Sequence, residues 1–286
     1  MFRFPAPPSA RRVASIAVLA CATFGGAASA DTLHTASDIA GIALTPLGAL
    51  PRSPENGSVD DFCAQYPEKK LSAAGREVAK RGWIVTSEAP LGRYRVVSFV
   101  SGMTPGTSAI CFARNANLAI FSGTELVALA YTPRSAKRSL GTVDVLENGA
   151  LLIQGGDGPG APLAELHEEN GGFRITAIAA ERTFCHGRAV VPNVYGKPLD
   201  TARKTLIAHG WQPLRARRKP DDSDGAATLM KHGIVEVYGC SGTGMGYCSF
   251  NYRSPAGVLG TITMGGEPDR PSLNTVIDYG VTCSKP

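Results

Sequence analysis

The chain has 286 residues, 43% of them hydrophobic and 19% charged, enough to bury one large core or two medium ones. Its 33 glycines and 20 prolines favour turns and short strands over long helices. Three of the 29 Lys and Arg fall in the first 30 residues, which hold no Asp or Glu, so 26 basic residues face 24 acidic ones in the remainder. That balance argues against nucleic acid as a partner.

Residues 1–30 have the build of an export signal. Arg3, Arg11 and Arg12 precede a small, apolar run from Val13 to Ala27, and Ala28-Ser29-Ala30 is a small-residue cleavage site that leaves Asp31 as the new N-terminus. The rival readings are an uncleaved anchor, for which the apolar stretch is too short and too rich in Ala and Gly, and lipid attachment at Cys21, for which it is cramped. No later apolar run reaches the 18 or so residues that a bilayer span needs. The expected location is therefore the periplasm or the extracellular medium.

Cysteine usage agrees with that compartment. Without Cys21, six remain: Cys63, Cys111, Cys185, Cys240, Cys248 and Cys283, an even number that reads as disulfides in an exported chain. There is no C-x-x-C pair and no spaced Cys/His set, so neither a metal site nor a cofactor is expected. Six cysteines allow about 15 pairings. The preferred set joins Cys240 to Cys248 around a flexible loop, Cys63 to Cys111, and Cys185 to Cys283 across the C-terminal region.

Residues 31–62 read as an irregular lead-in rich in Pro, Gly, Ser and Asp. A helix is expected from Glu68 to Arg81, with Leu71, Ala74 and Val78 on one stripe, Gly82 as its stop and Trp83 opening a strand. A strand meander follows, through Tyr94–Val100, Ile110–Ala113, Leu118–Phe121 and Leu126–Tyr131. Asn148-Gly149 and Asn170-Gly171-Gly172 mark two hairpins. With Cys185 as its limit, this makes a β-rich domain over 63–185.

The region 186–286 opens with a strand at Val190–Tyr195, then a helix carrying Leu199, Ala202 and Leu206, stopped by Gly210 before Trp211. Strands resume at Ile234–Tyr238, Cys248–Tyr252, Val258–Met264 and Val276–Cys283. Leu71, Ala74, Val78, Gly82 and Trp83 match Leu199, Ala202, Leu206, Gly210 and Trp211 at a constant offset, which points to a duplicated helix–Gly–Trp–strand unit. The expected class is α+β, mostly antiparallel sheet with one short helix per domain.

The stretch from Val191-Pro-Asn-Val-Tyr-Gly196 to the helix with Asp200, Ala202 and Leu206 and then Gly210 resembles the opening of a PASTA domain. That family has a helix on a three-stranded sheet, and its extracytoplasmic modules bind peptidoglycan fragments or act as spacers. The resemblance spans residues 191–211. Beyond it the family's G-x-V-x-x-Q-x-P turn is missing, and Arg215-Ala-Arg-Arg-Lys219 and an acidic Asp221–Asp224 stand in its place.

Chemical motifs are sparse. Gly239-Cys-Ser-Gly-Thr243 lacks the final Gly of G-x-S-x-G and has no following helix. His167-Glu168-Glu169 is not H-E-x-x-H, and the five histidines are scattered. Catalysis is therefore not expected. Two features suit binding: Trp211 followed by Arg215, Arg217, Arg218 and Lys219, and the loop Ser241–Tyr247, which would present Met245 and Tyr247. Alternatively, Trp211 is a core residue and the basic run a solvated loop balanced by its acidic neighbours. The expectation is a non-enzymatic envelope protein recognising peptidoglycan or an envelope protein. The competing reading is an inhibitor of a wall-degrading enzyme such as lysozyme, acting through the Ser241–Tyr247 loop.

Overall fold

A computed structural model describes residues 33–106, 110–133, 135–136, 139–156, 160–216, 225–242, 244–265 and 274–285. The first half begins with β1 (Thr35–Ser37), β2 (Ala43–Pro46), β3 (Ser58–Val59) and α1 (Ala73–Ala79), then β4 (Ile84–Leu91) and β5 (Tyr94–Val100). It continues through β6 (Gly102–Pro105), β7 (Cys111–Arg114), β8 (Asn117–Ser122) and β9 (Glu125–Tyr131). β10 (Leu140–Val145), β11 (Leu151–Gly155), β12 (Pro162–Glu169) and β13 (Gly172–Thr176) complete it.

Two five-stranded sheets, ordered β1-β13-β12-β11-β10 and β2-β9-β8-β5-β4, face one another. Between them lies one core, with Val96, Leu118 and Ile120 from the second sheet and Leu151, Ile153, Leu166 and Ile175 from the first. The second sheet is covered on its other face as well, by Ala74 and Val78 of α1 and by Trp83, which pack on Val97, Phe99 and Phe121. Burial on both faces explains why β5 and β8 are almost continuously apolar instead of alternating. A third sheet, β3-β6-β7, sits beside the sandwich.

The second half comprises β14 (Glu181–Phe184), β15 (Ala189–Pro192), α2 (Leu199–Ala208), β16 (Gln212–Pro213) and α3 (Gly225–Lys231). Then come β17 (Val237–Cys240), β18 (Cys248–Ser254), β19 (Gly257–Met264) and β20 (Thr275–Cys283). Strands β16, β18, β19 and β20 lie in that order, and β17 shares with β16 one edge of β18. One face packs on the helices through Leu206, Trp211, Leu229, Phe250, Tyr252 and Leu259. Its other face is left for the site described below.

The expected α+β class is corrected. The chain is mostly β, 48% strand against 12% helix, and among the described residues the helices are three short covers on sheets. The helix stripes in the sequence are real but brief: α1 starts only at Ala73, where the Ser72 hydroxyl accepts from the Gly75 amide. The lead-in is not irregular either. β1 pairs in parallel with β13, β2 antiparallel with β9, and β3 in parallel with β6. Isolated two- to four-residue strands have no periodicity to read, since their order comes from the long strands beside them. Glu55 helps to pin this segment: it accepts from Arg114 and Ser101, and the Arg114 guanidinium beside it holds its carboxyl below the usual range.

Three disulfides join Cys63 to Cys111, Cys185 to Cys283 and Cys240 to Cys248. Disulfides of this kind fit an oxidising, extracytoplasmic setting, and no helix among the described residues is long and apolar enough to cross a membrane. The repeated helix–Gly–Trp unit recurs as local structure. Each glycine ends its helix at positive φ, and each indole donates to a main-chain carbonyl, Trp83 to Pro51 and Trp211 to Val190. The following strands differ, since β4 is a full edge of the sandwich and β16 a two-residue bridge.

Candidate functional site

Where the two facing sheets meet along β4 and β10, no ladder joins them. Side chains bridge the gap instead. The Val143 amide donates to Ser87 Oγ at 3.1 Å, Ser98 Oγ donates to the Gly141 carbonyl at 2.5 Å, and Thr86 Oγ1 lies 2.8 Å from Ser98 Oγ. Register slips in both strands, between Val85 and Ser87 in β4 and between Leu140 and Val143 in β10. A third slip in β20 leaves Ile277 without a partner across from β19. The extra residues at these bulges, Thr86, Gly141, Thr142 and Ile277, all line one groove. Bulges concentrate where a strand must turn a side chain out of its ladder and toward a site.

The groove holds about 760 Å³, within the range of ligand-binding clefts. Its second wall is the outward face of the C-terminal sheet. Gly239, Ser249, Ile262 and Asp278 are successive cross-strand partners in β17, β18, β19 and β20, and all four line it. Tyr66, Met103, Ile110 and Cys111 from the first half and Ser241 and Tyr247 from the loop after β17 also line it. Two of the three disulfides, Cys63–Cys111 and Cys240–Cys248, border it, so both walls are covalently stiffened. A side chain at Gly239 would meet nothing within 4 Å, which leaves that position open.

The electrostatics are lopsided. Asp278 is the sole Asp, Glu, Lys, Arg or His among the described lining residues. One side of it reaches solvent, but surrounding protein atoms and then nearby Asp144 hold its carboxyl above the usual range, against the Tyr279 amide and Arg182. Tyr247 is likewise raised, by burial and then by Tyr66. Behind the wall, the Arg182 guanidinium lies 5.0, 5.8 and 5.4 Å from the ring centroids of Phe184, Tyr195 and Tyr279 and donates to the Tyr195 hydroxyl. Burial pushes the Tyr279 hydroxyl up to about 12.

The binding residues expected from sequence divide three ways. Tyr247 lines the groove, and Met245 lies in the same loop, its carbonyl accepting from the Gly265 amide at 3.0 Å. Trp211, 1% exposed, is a core residue whose indole no ligand reaches. Arg215 is exposed beyond β16 and does not line the groove, while Arg217, Arg218 and Lys219 lie outside the described residues. Sequence reasoning missed Thr86, Ile262 and Asp278. A bulge leaves no period of its own, and Asp278 reads as an ordinary outward residue of an alternating strand. The Gly155-Gly156 doublet was the one available hint that strands approach closely here.

No family model, curated protein or solved structure matches this chain. Among the described residues there is no cluster of three or more His, Cys, Asp or Glu that would hold a metal ion.

Proposed function

We propose that this is a non-enzymatic binding protein of the cell envelope, periplasmic or secreted, that holds part of an envelope partner in the groove between its two halves. The observation that carries this reading is the groove itself: about 760 Å³, walled by bulged strands and disulfides, and lined chiefly by apolar side chains, hydroxyls and main chain. A few convergent polar groups on an apolar wall are the make-up of a binding cleft. Acid–base chemistry would need a second ionisable group beside Asp278, and the lining described here supplies hydroxyls.

Both an envelope protein and peptidoglycan remain within this reading, and the lining favours the protein. No cation among the described lining residues would meet the carboxylates of a wall peptide. The PASTA-like stretch contributes Val191, Val194, Leu199, Ala202, Leu206 and Trp211 to the core instead of to the groove. The inhibitor reading needs a projecting loop. Here the Ser241 amide donates to the Tyr247 carbonyl, and both residues face the molecule's own groove.

The test is co-sedimentation with purified sacculi, and retention on immobilised envelope proteins, for the wild type and Gly239→Phe at low and high salt. Equal melting temperatures, with retention that survives salt and is lost in Gly239→Phe, support the groove as the binding site. Retention unchanged by the bulky residue refutes it.

A further inference from the structure

Within that binding reading, on which this inference rests, we infer that the groove takes an extended polypeptide segment carrying one basic side chain among apolar ones, with the basic group paired to Asp278.

Three features of the surface point there. The first is shape. A smaller cleft of about 250 Å³ continues from the groove across the outer face of the C-terminal sheet, and the two share Ser249, Ile262 and Asp278. Its floor is Gly260 and Gly280, cross-strand partners whose absent side chains leave the sheet bare between Ile262 on one side and Val258 and Thr282 on the other. A ligand that fills both clefts is long and narrow.

The second feature is polarity. Met103, Ile110, Ile262 and Ile277 offer apolar contact, Thr142 adds a hydroxyl able both to donate and to accept, and the Thr86 and Ser249 hydroxyls, whose protons go to Ser98 and to the Gly239 carbonyl, can accept. A peptide has this alternation, with apolar side chains on a backbone of N–H and C=O groups. A polyanion does not.

The third feature is charge. Asp144, nearby, is engaged by the Gln154 amide at 2.7 Å. Among the described residues the Asp278 carboxylate has no side-chain partner, and it is exposed on the outer face of the sheet. An exposed carboxylate without a side-chain partner, at the junction of two clefts, is complementary to an ammonium or guanidinium group. Ile262, the cross-strand partner of Asp278, is 40% exposed, and Val258, beyond the glycine floor, 36%, so apolar surface on either side of that floor is open to a partner.

The experiment presents a library of acetylated, amidated hexapeptides to the purified protein and to Asp278→Asn, Asp278→Lys and Gly239→Phe. Captured sequences are read out, and lead peptides are titrated calorimetrically. The expected result is enrichment of Lys or Arg flanked by apolar residues, with a lead peptide losing about tenfold or more in affinity when its basic residue becomes norleucine. Asp278→Asn should erase that difference but keep the apolar preference, and Asp278→Lys should turn the preference toward Glu. Enrichment of basic residues that persists in Asp278→Asn, or capture without charge preference, overturns the pairing while leaving the groove as a peptide site. Capture undiminished in Gly239→Phe overturns the location. If no peptide is captured, the peptide inference is wrong; retention of sacculi that Gly239→Phe abolishes would then leave the binding reading standing with a glycan as its ligand, and absence of that retention too would remove both.

Discussion

Glu88 of β4 lies directly over Gly75 of α1: a β-carbon at position 75 would come within 2.2 Å of Glu88 Oε1. The same carboxylate accepts from the Ser72 amide at 3.0 Å and from the Ser72 hydroxyl, so the start of the helix is fastened to the sheet at the point where the glycine makes room. A glycine inside a seven-residue helix costs roughly 1 kcal/mol relative to alanine on propensity alone. Here the close approach outweighs that cost. Gly75→Ala is expected to destabilise the protein by about 1–3 kcal/mol, seen as a lower midpoint in urea. In a Glu88→Ala background the same substitution should become neutral or stabilising. A Gly75→Ala protein as stable as the wild type would show that Glu88 moves aside freely.

The disulfides should differ in worth according to the loops they close. Cys240 and Cys248 are 8 residues apart, Cys185 and Cys283 are 98. Loop-closure entropy assigns about 2.5 kcal/mol to the first and about 4.7 to the second. The Cys240→Ser/Cys248→Ser protein is expected to stay folded with a modestly lower melting temperature. Its Cys185→Ser/Cys283→Ser counterpart should lose more, and a reversed order in calorimetry would show that native contacts, not chain entropy, set the ranking. Because Cys240 and Cys248 line the groove, the first variant should also bind ligand more weakly than its stability loss explains.

Much of the sandwich was legible because its long strands carry their own signals. Asn170-Gly171 closes β12 onto β13 with both residues at positive φ, φ 49° and 75°, the two-residue turn that the Asn-Gly pair favours. Among the disulfides, Cys240–Cys248 was legible because the two cysteines bracket a glycine-rich loop, whereas Cys63–Cys111 and Cys185–Cys283 were one choice among the remaining pairings. The groove was not legible, since it is made by irregularities. Thr86, Gly141, Thr142 and Ile277 come together because the strands holding them break register, and the strand-period pattern of a sequence is blind to a one-residue slip. Trp211 was left open between a contact and a core role for a different reason: an indole after a helix-stopping glycine looks the same whether it faces a ligand or a carbonyl such as that of Val190, and the structure puts it in the core.

Its place in the core gives a sharp expectation for Trp211. Replacement by Phe removes the donor to the Val190 carbonyl, 3.0 Å away, and leaves a small void in a fully packed site. A loss of about 1–3 kcal/mol is expected from the unsatisfied carbonyl and the lost contacts. Ligand binding by the folded variant should be unchanged, because the indole lies in the core and not in the groove. Weakened binding at full stability would return Trp211 to the list of contact residues.

Asp278 and Glu55 should pull the stability profile in opposite directions with pH. The folded protein holds Asp278 above its ordinary value of 3.8 through limited hydration and, secondarily, Asp144, with the Tyr279 amide and Arg182 acting against the rise. Its ionised form is thus disfavoured by folding, so stability falls as pH rises from the ordinary value through the raised one. Glu55 is held below its ordinary value of 4.5, chiefly by its hydrogen bond from Arg114. Its contribution is present above that value and is lost as pH falls through the lowered one. Asp278→Asn should therefore raise the urea midpoint at neutral pH, with the gain shrinking toward nothing at strongly acid pH, where the wild-type carboxyl is protonated as well. Glu55→Gln should do the reverse, costing stability at neutral pH and little in acid. Midpoints measured between about pH 3 and 7 for the three proteins decide it. An Asp278→Asn protein less stable than the wild type at pH 7 would mean that the carboxylate is already paired, and the groove would then have no open charge to offer a basic partner.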